Sequence, residues 1–180
     1  MSMEGVEVVL AGHPVSVEPL TAEAFKPFGD VIEASDNAQN FTINQGFAQR
    51  FHRLAHVDVT QGGGEPAISI FRAKARPLPL QLSLLEKHPF GSQAFMPLSG
   101  DAYLVVVALG GDTPDMTTLK CFSAIAQQGV NYAKGTWHHP LLALNDGDFL
   151  VVDRAGPSGE VNCVEVMLDE DAAASVKPTE

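Results

Sequence analysis

The 180-residue sequence predicts an all-β domain of the sandwich or barrel class. Three observations predict it: short β-like runs recur, turn residues separate them, and helix signals are scarce. Gly and Pro supply 16 and 12 residues, enough for frequent turns but below the level of a disordered chain. A hydrophobic share of 45% against 18% charged is that of a globular protein. The length suits one domain with a sizeable core. That domain is expected over 1–180, with 1–16 and 169–180 peripheral to it.

In chain order, strands are expected at 6–10, 30–34, 51–59, 67–72, 80–88, 93–98, 102–109, 130–132, 137–144, 148–153 and 161–167. The stretch 51–59 alternates apolar and polar residues, the mark of a half-buried strand. Breakers lie between the runs: Gly62-Gly63-Gly64, Pro89-Phe90-Gly91, Gly110-Gly111-Asp112, Asn145-Asp146-Gly147 and Gly156-Pro157-Ser158-Gly159. Asn-Asp-Gly is a strong hairpin signal, because Asn and Gly tolerate positive φ. Thr21 is an N-cap for a short helix that stops at Pro27. Further short helices are expected at 115–120 and 169–174.

Formal net charge is −11, with 11 basic and 22 acidic side chains. That balance argues against nucleic acid and against an anionic membrane surface as partners. The longest apolar run, 102–109, is too short to span a bilayer. No basic stretch precedes an apolar one at the start, so the expected location is cytoplasmic. Cys121 and Cys163 stand alone, which fits reduced thiols. Charge is unevenly placed: residues 1–49 carry −6 and 91–180 carry −8, whereas 50–90 carry +3. That basic segment is either a site for a small anion or a surface patch paired with the acidic flanks.

Chemistry concentrates in two stretches. In Glu86-Lys-His-Pro-Phe-Gly-Ser-Gln93, Glu86 and His88 are two apart and share one strand face, with Lys87 opposite. The turn at 89–92 returns Gln93 beside them. In Gly135-Thr-Trp-His-His-Pro140 the two histidines are adjacent, so one is expected to face in and the other out.

The first stretch resembles the first cupin motif. Glu86 and His88 take its two His positions, Gln93 its Glu position and Gly100 its Gly. The second resembles the second cupin motif and puts His138 at its ligand His. Two of four ligand positions therefore differ from the pattern. A closer resemblance covers residues 17–168. It rests on Phe28-Gly-Asp-Val-Ile-Glu33, Ile43-Asn-Gln-Gly46, Leu85-Glu-Lys-His-Pro-Phe-Gly-Ser-Gln-Ala-Phe95, Gln128-Gly-Val-Asn-Tyr132, Trp137-His-His-Pro-Leu141 and 148–154. These are similar to the ureidoglycolate lyase family. The resemblance implies a dimeric cupin-like β-barrel that splits (S)-ureidoglycolate into glyoxylate and urea in allantoin breakdown. It also implies a divalent metal, nickel in this family, and no organic cofactor.

That cleavage takes a proton from the substrate hydroxyl and gives one to the departing urea nitrogen. Imidazoles and carboxylates suit the task, and a divalent ion lowers the hydroxyl pKa. The expected catalytic residues are His88, His138 and Glu86. The same three with Gln93 form the expected ligand set, which suits a borderline metal. Arg72, Gln93 and Tyr132 are the expected substrate contacts. Each has a plainer reading: His88 a packed residue before a turn, Glu86 a solvated strand-end acid, Gln93 a hairpin hydrogen bonder, Tyr132 barrel packing. Arg72 shares a face with Ile68 and Ile70. If those fill the barrel it meets the substrate carboxylate; otherwise it pairs with Asp148 or Asp153. Two rival functions stay open, a metal-dependent cupin oxygenase or isomerase and a non-catalytic cupin that binds a small molecule.

Overall fold

The computed structural model describes residues 6–169 and 173–178. Its regular structure is almost entirely strand, with one short α-helix, Ala22–Phe25, capped by the Thr21 hydroxyl at the Ala24 amide. A five-stranded antiparallel sheet runs in the order Gly29–Ile32, Gly129–Tyr132, Gln93–Pro97, Gly147–Ala155 and Glu65–Ala73. A larger sheet runs Val164–Met167, Leu84–Lys87, Trp137–His138, Tyr103–Ala108, Lys120–Ala124 and Val17–Pro19. Leu142–Ala143 also pairs with Tyr103–Ala108 in that sheet. A four-stranded sheet runs His13–Val15, Val6–Leu10, Ala174–Pro178 and Leu80–Leu82.

The core explains why these sheets stack in three layers. Tyr103, Val105 and Val107 join Phe122, Phe95, Val130, Tyr132 and Phe149 in one apolar cluster between the five-stranded and the large sheet. Leu104, Val106 and Ala108 face the other way, into a second cluster with Trp137, Val8, Leu82 and Val176. Every residue of Tyr103–Ala108 is buried, so both faces of that strand are dry. Unbroken apolar composition is what a strand covered on both sides requires. The all-β expectation is met.

Several expected elements differ in detail. Among the described residues, the terminal strands are not peripheral. Val6–Leu10 pairs antiparallel with Ala174–Pro178, and Val8, Ala174 and Val176 are fully buried. These apolar strands cover the face of the large sheet that would otherwise meet water. The expected 169–174 helix includes residues 170–172, outside the described residues, and Ala174 is already strand. Residues 80–88 divide into Leu80–Leu82 and Leu84–Lys87, which belong to different sheets. Pro140 lies between the halves of 137–144, consistent with its missing amide donor.

The expected strand at 51–59 is absent beyond Phe51. Arg53 sits at a φ of 53°, in the left-handed region, which ends the extension. The amides that follow bond to side chains: His56 N–H donates to Asp30 and Asp58 N–H to the Ser92 hydroxyl, both at 2.9 Å. In its place Asn40–Ile43 and Ala48–Phe51 form a separate hairpin. It exposes Phe41, Ile43 and Phe47. The buried Arg154 braces the loops at this end of the sheets. It pairs with Glu160, donates to the Gln61 carbonyl, and leaves no room for a Cβ at Gly64.

Candidate active site

Glu86 and Gln93 lie at the two ends of a turn that carries the chain from the large sheet into the five-stranded one. Register then brings the other side chains to them. His138 is directly across from Glu86, and Tyr132 is directly across from Gln93. Four residues separated by up to 52 positions thus form two cross-strand pairs, one in each sheet.

The His138 ring has Nδ1 2.9 Å from the Thr136 carbonyl, and His88 has Nδ1 2.6 Å from the Asn162 carbonyl. A carbonyl can only accept, so both Nδ1 atoms carry hydrogen and donate. Both Nε2 atoms are therefore turned toward the cluster. His88 Nε2 is 3.1 Å from Gln93 Oε1, and His138 Nε2 is 3.5 Å from Glu86 Oε1. The latter is too long for a well-formed hydrogen bond. His138 is 1% exposed, and among the described residues its Nε2 has no hydrogen-bond partner. A buried nitrogen left without a partner is costly unless something else occupies it.

One ligand atom each from Glu86, His88 and His138 lies within 4.8 Å of the others. Two imidazoles and a carboxylate at that spacing, with a bare nitrogen among them, fit a divalent cation. A second group, Glu86, Cys163 and Glu165, shares the same carboxylate.

Burial works to raise the Glu86 pKa, but the closeness of His138 outweighs it, with His88 and the Cys163 thiol assisting. The carboxyl is held below its ordinary value. Burial, with the Glu86 and Glu165 charges, pushes Cys163 up to about 11, so it is a neutral thiol. Tyr132 stacks flat on His138, centroids 4.1 Å apart and planes 14° from parallel. Burial, and then the Glu86 charge, raises its phenol pKa well above the ordinary value.

A cavity of about 630 Å³ opens beside this cluster. Glu86 and Gln93 line it directly, Phe71, Phe95 and Leu141 give it apolar walls, and residues 71–77 form one side. His88 and His138 stand against Gln93 and Glu86 without lining it.

Three of the expected placements need correction. Arg72 does not point into the barrel. Ile68 and Ile70 are 75% and 52% exposed on the outer face of an edge strand, and the Arg72 side chain is 79% exposed with them. Its guanidinium grips Asp148 at 2.9 and 3.0 Å. The inward face of that strand carries Phe71 instead, edge-on to Phe95. Tyr132 packs under His138 in the core and is not part of the cavity wall. Finally, neither histidine of the pair faces water: His139 is also buried, its N–H donating to the Val106 carbonyl. Burial lowers its pKa, and the nearby Arg76 charge adds to this against a bond to the Pro140 carbonyl.

Lys87, on the opposite strand face, lies over the Trp137 ring and donates to the Gly111 carbonyl. Two residues at the site carry no motif signal: Asn162, which orients His88 and caps the Phe90 amide, and Cys163. Their approach depends on a strand pairing some 75 positions away in sequence, which periodicity cannot reveal.

Comparison with known proteins is consistent along most of the chain. The profile of the family described as ureidoglycolate lyase matches residues 12–175. A ureidoglycolate lyase of Pseudomonas syringae pv. tomato is 50% identical over 165 residues, 91% of this chain and 95% of that one. One from Burkholderia cepacia is 50% identical over 173 residues, covering 94% and 95%. Among solved structures, a Bacillus subtilis oxalate decarboxylase is 12% identical with a TM-score of 0.35, covering 84% of this chain and 30% of that one.

Proposed function

Because the chain belongs to the ureidoglycolate lyase family, we propose that it splits (S)-ureidoglycolate into glyoxylate and urea at the Glu86–His88–His138 cluster. The observation that carries the assignment to this cluster is the buried, unpartnered Nε2 of His138 facing an ionised Glu86 beside a cavity. Glu86 lines the cavity and is held in its charged form, so it is the group to take the substrate hydroxyl proton. As that proton leaves, the oxygen electrons form the aldehyde C=O and the C–N pair withdraws onto nitrogen. One proton is taken and one returned, so the reaction needs no net acid. Glu86 returns the proton to the urea nitrogen from the cavity wall, with His138 beside it and His88 beside Gln93 backing that wall. Gln93 offers its amide to the substrate from the same wall.

Glu86, His88 and His138, with Gln93 nearby, would hold a divalent metal, and nickel is the ion the family resemblance implies. Bound there, such an ion supplies a Lewis acid that makes the substrate hydroxyl easier to deprotonate. The same reading places the enzyme in allantoin breakdown in the cytoplasm, as a homodimer. Its exposed Ile68, Ile70 and Phe47 suit burial in an interface.

The test is to incubate the purified protein with ureidoglycolate and quantify urea, glyoxylate and ammonia. One urea and one glyoxylate per substrate are expected. Ammonia and carbon dioxide in place of urea would mean hydrolysis of the ureido group, and the lyase reading would be wrong.

A further inference from the structure

Arg72, Lys74 and Arg76 lie two residues apart and all border the cavity that Glu86 and Gln93 line. Their charges are not equally available. Asp148 holds Arg72 with two hydrogen bonds, and Asp146 holds Lys74 at 3.0 Å. Asp146 also accepts from the Ala75 amide, which fixes this arrangement to the backbone. For the Arg76 guanidinium, no carboxylate or carbonyl among the described residues lies within bonding distance. Its backbone is nevertheless anchored, because the Arg76 N–H donates to the Ala143 carbonyl at 2.9 Å. That bond ties the segment to the large sheet, the sheet that also carries Glu86 and His138. Arg76 is close enough to the buried His139 for its charge to be felt there.

We propose that Arg76, rather than Arg72, is the cation that receives the substrate carboxylate in this cavity. The proposal rests on the ureidoglycolate lyase reading. An anionic substrate that approaches the ionised Glu86 is repelled unless a cation meets its far end. A guanidinium without a protein partner supplies that cation in a two-pronged geometry matched to a carboxylate. With the carboxylate held at Arg76, the carbinol carbon is left toward Glu86 and Gln93, where the hydroxyl proton is removed. The neighbouring cations serve a different end, since their aspartates already neutralise them at the outer rim.

Two readouts test this together. Glyoxylate, which keeps the carboxylate but is not cleaved, is titrated calorimetrically against wild type, Arg76→Ala, Arg76→Lys and Arg72→Ala. Steady-state turnover of ureidoglycolate is measured on the same four proteins, with melting curves to confirm folding. Arg76 is exposed, so Arg76→Ala should lower both glyoxylate affinity and kcat/KM by roughly fivefold, the upper end for an ion pair open to solvent. Arg76→Lys should recover part of each loss, and Arg72→Ala should change neither by more than about twofold. A folded Arg76→Ala protein with wild-type glyoxylate affinity overturns the proposal, as does equal loss in Arg72→Ala. If wild type binds glyoxylate through Arg76 but releases no urea from ureidoglycolate, the lyase reading fails while the carboxylate site stands.

Discussion

At the scale of single residues, the site is organised by who donates to whom. The Thr136 and Asn162 carbonyls fix one nitrogen of each imidazole and so aim the other at Glu86 from His138 and at Gln93 from His88. With both nitrogens turned into the cluster, the metal needs each imidazole. His138→Ala and His88→Ala should each abolish binding of added nickel, measured by metal analysis after chelation and dialysis, and with it the recovery of activity. Glu86→Gln keeps the side-chain shape but removes the charge, and should weaken the metal and turnover together. Full activity in protein stripped of metal would end the metal role and leave proton transfer to Glu86. The other residue-scale lesson concerns arginine. Arg72 is legible in the sequence as a cation on a strand but not as a cation already spent, because Asp148 lies 76 positions away. Arg76 continues the same alternation and differs only in what it lacks, which no local pattern records.

At the scale of elements, the legible strands are those whose period matches their burial. Glu86, His88 and Gln93 converge as their spacing implies, since the turn at Pro89 and Gly91 is written in the sequence. The hairpin from Asn40 to Phe51 escapes such a reading because its strands are four residues each and largely exposed, so the alternation of Phe41 and Ile43 with polar neighbours is too short to mark a strand. The 51–59 stretch misleads for the opposite reason: its alternation is real, but Arg53 turns left-handed and side chains take over the amides. The strand Tyr103–Ala108 is visible as an apolar run, though not as one with two dry faces. Its burial gives a direct expectation. Leu104→Ala should cost ~2–5 kcal/mol in denaturant unfolding, the range for a large core truncation. Met167→Ala, on an exposed edge, should stay within about 0.5 kcal/mol. Equal effects would mean that the second apolar cluster contributes little.

At the scale of the molecule, three stacked sheets divide the work. The five-stranded and large sheets enclose the first apolar cluster, while the four-stranded sheet covers the back of the large one. Ending the chain after residue 173 removes Val176 and the partner of Val6–Leu10, uncovering Leu104 and Val106 behind the site. The melting temperature should fall by on the order of 10 °C or more, given roughly 2–4 °C per kcal/mol at this size. An unchanged melting curve would make that layer an accessory. The pairing of Val6–Leu10 with Ala174–Pro178 also sets a clock. A ribosome adding about 5–20 residues per second reaches Ala174 on the order of ten seconds after Val6. Throughout that interval the apolar side of Val6–Leu10 has only a three-residue neighbour to shelter it. The newborn chain therefore carries a sticky, half-finished edge for most of its synthesis, and its need for chaperones should be greatest just before Ala174–Pro178 emerges.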